Sequence, residues 1–471
     1  MTARSRTLWT FAITSVALFM VSLDNLVVTT ALPVIRTDLD ASLADLEWTV
    51  NAYTLTFAVF LLTGAALGDR FGRRRMFSIG LTVFTLGSVA AALAPTVDAL
   101  NAARAVQGLG GALVMPLTLT LLSAAVSPEK RGLALGAWGG IGGLAIAFGP
   151  LVGGAIVEGI AWQWIFWLNV PIGLVLVPVA LRRLTESHGP GGRLDLVGVA
   201  LASAGLFGIV WGLVRANTEG WGSPEIIGSF VAGAVLVAAF VAWELRSRAP
   251  MLPIRFFRSA TFTLANVASL LMFFGMFGSI FLLAQFFQTV QGYSPLGAGL
   301  RILPWTLAPM FIAPLAGALS DRIPPRLIIG TGLAMQSIAL AWIALVSTPT
   351  VPYSSLVAPF VVAGIGMALF FAPVANVVLS AVKPEQEGQA SGANNAIREL
   401  GGVFGVAVLA AVFAHVGGYE SQAAFSDGMN TAVLVGAAVV AIGAVAAFAM
   451  PGGPRRSEAS SSEPAALAEP A

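Results

Sequence analysis

A single acidic residue stands inside a long apolar stretch near the start of the chain. Residues Trp9–Pro33 are mostly apolar, and Asp24 is the only charged side chain among them. About 20 apolar residues at 1.5 Å per residue cross the hydrocarbon core of a bilayer, so this stretch predicts a membrane-spanning helix. A carboxylate at that depth is costly unless it has a charged partner or a wet cavity, and such residues typically mark ion pathways.

Arg104 is the candidate partner for Asp24. It shares one face of a second apolar helix with Gln107, Gly108, Gly111 and Met115. Counted from the same membrane surface, Arg104 lies about 10 Å deep and Asp24 about 12 Å deep. We expect the two to meet beside a central cavity and to form a protonation switch, in which the carboxyl group exchanges a proton for cargo. A static ion pair that only fixes helix packing is the alternative.

The composition places these charges in an all-α polytopic membrane protein. The 471 residues are 57% hydrophobic and only 10% charged, with a mean hydropathy of +0.86. Fourteen apolar segments are long enough to predict transmembrane helices. They are 8–32, 47–67, 77–95, 97–124, 132–157, 163–183, 195–215, 225–244, 261–289, 296–318, 327–346, 353–380, 390–415 and 429–450.

The composition also excludes several classes of site. Cysteine is absent, which rules out disulfides, thiolate metal sites and cysteine nucleophiles. The two histidines, His188 and His415, are isolated from each other and support neither a metal site nor a histidine-based triad. Basic residues are scattered between apolar runs rather than massed on one face, so nucleic acid is not expected as a partner.

The basic residues predict the orientation in the membrane. If the N-terminus is cytoplasmic, 20 of the 25 lysines and arginines fall at the cytoplasmic ends of the segments. This bias is what the positive-inside rule predicts, and a wrong number of helices would invert it part-way along the chain. We therefore predict a multi-pass protein of the cell membrane with both termini cytoplasmic. The scarcity of lysine is typical of a GC-rich genome such as that of an actinobacterium.

A short motif recurs after the second and tenth segments, which predicts a duplicated bundle. The first copy contains Asp69, Arg70, Gly72 and Arg73, and the second contains Asp321 and Arg322. We divide the chain into an N-terminal six-helix bundle (1–187), two inserted accessory helices (188–254) and a C-terminal six-helix bundle (255–450). The last stretch (451–471) is rich in Pro, Ser, Glu and Ala and predicts a disordered cytoplasmic tail.

Glycine and proline are concentrated in the fifth segment. Gly149, Pro150, Gly153 and Gly154 follow the small-xxx-small spacing that lets helices approach closely. Pro150 lacks a backbone donor and bends the helix. These residues predict a hinge at a moving helix interface. Tight static packing is the alternative, which the glycines alone would serve equally well.

Polar side chains inside the apolar helices are the candidates for lining a substrate cavity. They are Asn25, Gln107, Gln285, Asn376 and Glu399. Glu399 lies near the middle of the thirteenth segment, where it could be a second acid for cationic cargo. It could equally pair with Arg398 and have no other role.

These motifs together resemble those of the major facilitator superfamily, and within it the fourteen-helix drug:proton antiporters of family 2. The resemblance rests on Asp24 with Ala31-Leu32-Pro33, the Asp69–Arg74 loop, Arg104-x-x-Gln107-Gly108 and Gly149-Pro150-x-x-Gly153-Gly154, in matching order and helices. It covers nearly the whole chain except the tail. The Gly-Pro motif is the most specific of the four, because in this superfamily it goes with antiport rather than symport.

The resemblance implies alternating access between two bundles plus two accessory helices, and efflux of a hydrophobic, often cationic drug or antibiotic in exchange for protons. It also implies a cytoplasmic latch between the bundles, formed by Asp69, Arg70, Gly72 and Arg73 and by Asp321 and Arg322. The second copy departs from the family pattern at Ile323-Pro324.

The expected energy source is the proton motive force, with no cofactor. No Gly-x-x-x-x-Gly-Lys-Ser/Thr loop for binding nucleotide phosphates is present in the sequence. The expected partners are a small hydrophobic substrate, protons and the lipid bilayer, with no obligate protein partner.

Two other functions compete with multidrug efflux. One is selective export of a single antibiotic or secondary metabolite made by the host. The other is a non-transporting membrane receptor or scaffold, which would tolerate a duplicated bundle but has no need of a Gly-Pro helix or a matched pair of buried charges. An enzyme would need nucleophiles, acids or metal ligands clustered at one depth, and the sequence shows no such cluster.

Overall fold

Fourteen long helices make up the described parts of the chain. The computed structural model describes residues 3–126, 128–188, 195–248, 250, 252–320, 323–382 and 386–451. The helices are α1 (Ala3–Asp38), α2 (Leu43–Phe71), α3 (Arg73–Ala92), α4 (Val97–Ala125), α5 (Pro128–Gly159), α6 (Trp164–Arg183), α7 (Leu196–Glu219), α8 (Pro224–Glu244), α9 (Ala260–Gln285), α10 (Pro295–Ser320), α11 (Pro325–Val346), α12 (Ser354–Ser380), α13 (Glu387–Val416) and α14 (Gln422–Phe448). Helix α6 is interrupted at Leu168, and a π-helical turn, Phe286–Val290, follows α9.

The predicted fold class, an all-α polytopic membrane protein with fourteen helices, is confirmed. Twelve of the helices contain stretches long and apolar enough to span a membrane, and α5 and α10, with 32 and 26 residues, complete the set. The largest difference from the predicted segments is α14, which begins at Gln422 rather than at residue 429. Its first turns are polar, so a search for apolar residues alone misses them.

Several helices begin at a side chain that caps their first turn. Ser42 and Asp45 form a capping box at the start of α2. Ser223, Ser259 and Ser421 accept hydrogen bonds from backbone N–H groups at the starts of α8, α9 and α14. These caps satisfy donors that a helix cannot pair internally and that lipid cannot satisfy.

Helices α1–α6 and helices α9–α14 form two packed groups. In the first group α4 packs against α1, α2 and α3, while α5 packs along α1 and α6 packs against α3. In the second group α9 packs against α13 and α14, α11 against α12 and α14, and α10 against α12. We refer to these groups as the first and second halves. The domain boundaries assigned from the sequence stay predictions.

Two helix pairs carry most of the packing between the halves. Helix α5 packs against α10, and α2 packs against α13. The inserted helices α7 and α8 pack against each other, and α7 also contacts α2 and α13. The Trp48 ring of α2 lies against Phe207 and Trp211 of α7. The inserted pair therefore covers one seam between the halves.

The fourteen helices give the molecule two ends. We call the end where α1 begins the near end, and the opposite end the far end. Thr7 at the start of α1 donates to the carbonyl of Ala125 at the close of α4, both at the near end. Trp162 donates to Asp38 at the far end. An even number of helices returns the chain to the near end.

Candidate functional site

The carboxyl group of Asp24 lies in the interior of the first half and receives three hydrogen bonds. Oδ2 accepts from Nη1 of Arg104 at 2.5 Å, and Oδ1 accepts from Gln107 Nε2 at 3.2 Å and from Asn169 Nδ2 at 2.7 Å. Asp24 and Arg104 are each only 1% exposed. The predicted contact between Asp24 and Arg104 is therefore present, with two amide donors added to it.

Arg104 is held by more than its partner acid. Its Nε donates to the carbonyl of Thr49 at 3.2 Å, and Nη1 also donates to Gln107 Oε1 at 2.9 Å. The guanidinium lies 4.3 Å from the ring centroid of Tyr53 and 5.7 Å from that of Phe166. Charge-assisted hydrogen bonds and ring contacts together offset the cost of burying a cation.

Two members of the network, Ser88 and Asn169, were not found by sequence analysis. Ser88 on α3 accepts from Gln107 Nε2 at 2.7 Å and from Asn169 Nδ2 at 3.3 Å. Both residues are buried. Asn169 follows the interruption of α6 at Leu168. A polar residue at a break in an apolar helix is the signal that could have identified it.

The expected position of the ion pair beside a central cavity stays a prediction. The described hydrogen-bonding partners of Asp24 lie on α4 and α6, and both helices belong to the first half. Gln107, predicted to line the cavity, is fully buried in the same network. Gln107 and Asn169 supply the hydrogen bonds that a buried carboxylate needs.

Asn25, the next residue on α1, faces the second half instead. Its side chain lies close to the carboxyl group of Glu399 on α13. Tyr53 lies within electrostatic range of Asp24, Arg104 and Glu399. Successive residues of a helix project about 100° apart. One short segment of α1 therefore carries Asp24 of the buried ion pair and, on a different side, Asn25 next to an acid of the second half.

Glu399 is not in an ion pair with Arg398. Among the described residues no salt bridge within 4 Å joins them. Arg398 lies against two rings instead, 4.4 Å from the Phe273 centroid and 4.8 Å from that of Phe371. Glu399 Oε2 is buried without a hydrogen-bond partner. The acid therefore keeps a free acceptor at the junction of the halves.

The other two predicted cavity residues lie away from Glu399. Gln285 is buried near the far end, where Tyr419 donates to it, and its Nε2 donates to the Phe281 carbonyl. Asn376 is exposed in the last turns of α12, at the near end. The structure brings together Asn25 and Glu399 but not the full predicted set.

The predicted latch residues make their described contacts inside the first half. Arg73 pairs with Asp69 at 2.7 Å, while Gly72 closes α2 with a φ of 103°. Glu186, which sequence analysis missed, accepts from the backbone N–H of Arg74 at 2.9 Å. These contacts dock the α2–α3 turn on the segment after α6, and a latch between the halves stays a prediction.

The other residues predicted for the latch are Arg70, Asp321 and Arg322. Arg70 lies beside the Phe71 ring, 5.2 Å from its centroid. Asp321 and Arg322, the second copy of the motif, lie outside the described residues.

The Gly-Pro segment of α5 contacts α1 on one side and α10 on the other. A Cβ atom added to Gly153 would lie 2.5 Å from the Val27 carbonyl oxygen, and one at Gly149 would lie 2.7 Å from Leu26 Cβ. Toward the second half, Gly154 meets the carbonyl of Pro295. Gly299 of α10 meets the carbonyl of Pro150. The predicted close approach is present, while its role as a hinge stays a prediction.

The arrangement of two six-helix groups around these contacts has a counterpart among known proteins. A family model described as Major Facilitator Superfamily matches residues 14–406 and 266–470. The chain belongs to the major facilitator superfamily. Members are membrane transporters, so the protein is not an enzyme. The resemblance inferred from the motifs is thereby confirmed.

Relatives within the superfamily include resistance and export proteins. The chain is 34% identical over 414 residues to the tetracenomycin C resistance and export protein of Streptomyces glaucescens, covering 87% of this chain and 77% of that protein. It is 36% identical over 409 residues to the multidrug resistance protein Stp of Mycobacterium tuberculosis, covering 86% and 76%.

A solved structure shares the fold. The nucleoside transporter NupG superposes with a TM-score of 0.65 at 14% identity, covering 94% of this chain and 99% of that one. At this identity the likeness concerns the fold alone.

Proposed function

We propose that this superfamily member exports hydrophobic, including cationic, drugs or antibiotics by alternating access, in exchange for protons. The observation that carries the proposal is the fully buried Asp24–Arg104 pair, next in sequence to Asn25, which contacts Glu399 across the junction of the halves. Ionisable residues inside a membrane are functional by default. Through Asn25, the Asp24–Arg104 pair is connected to the interface between the two halves, which must move during transport.

The proton site is Asp24. When Asp24 is ionised, its charge balances Arg104 and three donors hold it in place. When Asp24 is protonated, the buried guanidinium loses its counter-charge, and the contacts of α1 with α4 weaken. Because Asn25 moves with α1, the change reaches Glu399 and alters the packing of the two halves.

Glu399 is the cargo-side acid in this proposal. It offers a free carboxylate oxygen at the junction of the halves, which would suit a lipophilic cation. Proton binding on Asp24 and cargo binding near Glu399 are then separate events on two helices, α1 and α13. This arrangement replaces direct competition for one carboxyl group.

The orientation and energy source complete the proposal. The bias of basic residues makes the near end cytoplasmic and the far end extracellular. Protons entering from outside would supply about 2.3 kcal/mol per charge per 100 mV of membrane potential, with no cofactor. The substrate, the protons and the lipid bilayer are the proposed partners.

The relatives support export, and their names fit either a broad or a narrow substrate specificity. One relative is named for multidrug resistance and another for resistance to and export of one compound, tetracenomycin C. The second candidate function is therefore selective export of one antibiotic made by the host. The free acid at Glu399 favours the broader function for cations.

The test uses a double variant that removes both buried charges. Asp24→Asn alone leaves Arg104 buried without a counter-charge, which can cost about 3–5 kcal/mol of stability. Asp24→Asn with Arg104→Gln restores neutrality. Transport of a fluorescent lipophilic cation into inverted vesicles is measured with and without a protonophore, beside Asp427→Asn, an exposed acid on α14, as the control.

A protonation switch and a static ion pair predict opposite results in this experiment. We expect the double variant to fold but to lose the part of transport that the protonophore abolishes, while Asp427→Asn keeps it. If the double variant folds and transports with undiminished dependence on the proton gradient, the pair is static and the proposal is wrong.

A further inference from the structure

A tyrosine of the second half covers a cation of the first half at the far end. The Arg36 guanidinium carbon, near the end of α1, lies 3.4 Å from the ring centroid of Tyr419. Tyr419 stands between α13 and α14, and its hydroxyl donates to Gln285 of α9. The stack therefore joins α1 to three elements of the other half.

A second charged group of the first half, Glu47, lies near the same tyrosine. Glu47 on α2 is only 3% exposed, and its Oε2 is buried without a hydrogen-bond partner. Burial raises the pKa of the Tyr419 hydroxyl, while Arg36 lowers it and Glu47 raises it. Both groups are therefore within electrostatic range of one ring.

Neither Arg36 nor Glu47 takes part in a salt bridge within the described part of the chain. An ionised carboxylate buried without a partner is costly, so the closed far end favours a neutral Glu47. A guanidinium that comes within about 4–6 Å of a carboxyl group favours the ionised acid. In this structure Arg36 is engaged by the ring of Tyr419 instead.

The other charged groups near this end have partners or face outward. Arg104 pairs with Asp24, and Arg215 pairs with Glu219 and Glu225. Arg301 lies over the Tyr293 ring, and Asp38 accepts from Trp162. Asp40, Asp98 and Glu420 are exposed, and Asp45 caps α2. Arg36 is thus the cation best placed to approach Glu47.

We infer that Glu47 is a second proton-binding site, whose protonation allows the far end to close. In the open state Tyr419 withdraws with the second half, and Arg36 pairs with ionised Glu47. In the closed state Tyr419 covers Arg36, and Glu47 is buried as the neutral acid. Closing the far end therefore takes up one proton, and opening it releases one.

This inference rests on the alternating access of the proposed function, but it adds a proton site separate from Asp24. With the far end outside the cell, an acidic exterior would favour closure whether or not cargo is bound. The site would thus make the return of the transporter to its cargo-accepting state sensitive to external pH.

The absence of cysteine makes the experiment direct. Spin labels are attached at Thr37→Cys and Gln422→Cys, two exposed positions at the far end on opposite halves. The distance between them is measured in the full chain in lipid nanodiscs across acidic to alkaline buffers, without cargo or a gradient. We expect the open-to-closed ratio to rise with pH by at most about tenfold per pH unit, the slope for one linked proton.

Two variants separate Glu47 from its surroundings. Glu47→Gln should hold the far end closed at every pH, because a neutral side chain no longer attracts Arg36. Glu420→Gln, an exposed acid beside Tyr419, should keep the native response. A pH response in Glu47→Gln as large as that of the native chain would overturn the inference. The lack of any pH response in the native chain would overturn it too.

A third background keeps this result distinct from the proposed function. In the Asp24→Asn and Arg104→Gln double variant we expect the pH response of the far end to persist. If the response were lost there and retained in Glu47→Gln, Glu47 would be excluded while proton coupling through Asp24 would stand. If transport proved independent of protons but the pH response disappeared only in Glu47→Gln, the proton site at Glu47 would stand and proton coupling through Asp24 would be excluded.

Discussion

Asn169 donates a hydrogen bond of 2.7 Å to Oδ1 of Asp24, while Arg104 donates to the other oxygen, Oδ2. Replacing Asn169 with Leu removes one of three donors to this group. We expect a loss of about 1–3 kcal/mol in the free energy of unfolding, because a buried acceptor loses a partner. Because Asn169 holds the proposed proton site in place, proton-driven transport should fall as well.

Asn101→Leu is the matched control for Asn169. Asn101 on α4 hydrogen-bonds Thr49 and the Asp45 carbonyl, and neither bond reaches Asp24. It should lower stability without reducing proton-driven transport. An equal loss of transport in both variants would show that Asn169 has only a packing role.

Gly153 tests the close approach of α5 and α1. Gly153→Ala places a Cβ atom 2.5 Å from the Val27 carbonyl oxygen, so the helices must separate. We expect a loss of about 1–3 kcal/mol, measured as a lower unfolding temperature in detergent. Gly159→Ala, on the same helix with nothing within 4 Å of its Cβ, should be close to neutral.

Glu186 tests the docking of the α2–α3 turn. Its carboxylate accepts from the backbone of Arg74 and Ser187 and lies 3.5 Å from Arg74 Nε. Glu186→Gln keeps the shape but weakens these bonds, and because the site is partly exposed we expect a loss below about 1 kcal/mol. Faster proteolysis at the turn, without a change in global unfolding, is the measurement. Unchanged cleavage would show that the turn is held by other contacts.

Glu399 tests the chemistry of the cargo. Glu399→Gln removes the acid at the junction of the halves but keeps an acceptor for Asn25. Export of lipophilic cations should fall about tenfold or more, while neutral hydrophobic cargo is exported nearly as before, which an efflux panel with paired compounds would show. An equal loss for both classes would mean that Glu399 acts on the conformational change and not on cargo choice.

The helices and the central ion pair were predictable from the sequence for a simple physical reason. Hydropathy and rise per residue fix which residues cross the bilayer and at what depth, and this was enough to place Asp24 and Arg104 together. Depth alone does not fix the rotation of a helix about its axis. The network members Ser88 and Asn169 depend on that rotation and were missed.

The predicted cavity residues show the same limit. Gln285 and Asn376 are polar residues in apolar helices, as Glu399 is, but one is held by Tyr419 at the far end and the other is exposed at the near end. Glu186 and Tyr419 lie outside the helices, where neither periodicity nor hydropathy constrains the partner. Their roles follow from tertiary contacts only.

In the proposed cycle, which needs Asp24, protons and cargo move in opposite directions. Liposomes holding the purified protein, a lipophilic cation and a pH-sensitive dye are diluted into buffer without the cation. Outflow of the cation should drive protons inward and acidify the lumen, and the Asp24→Asn and Arg104→Gln double variant should show no such acidification. Release of the cation by the native protein with no accompanying change in internal pH would show that export is not coupled to protons.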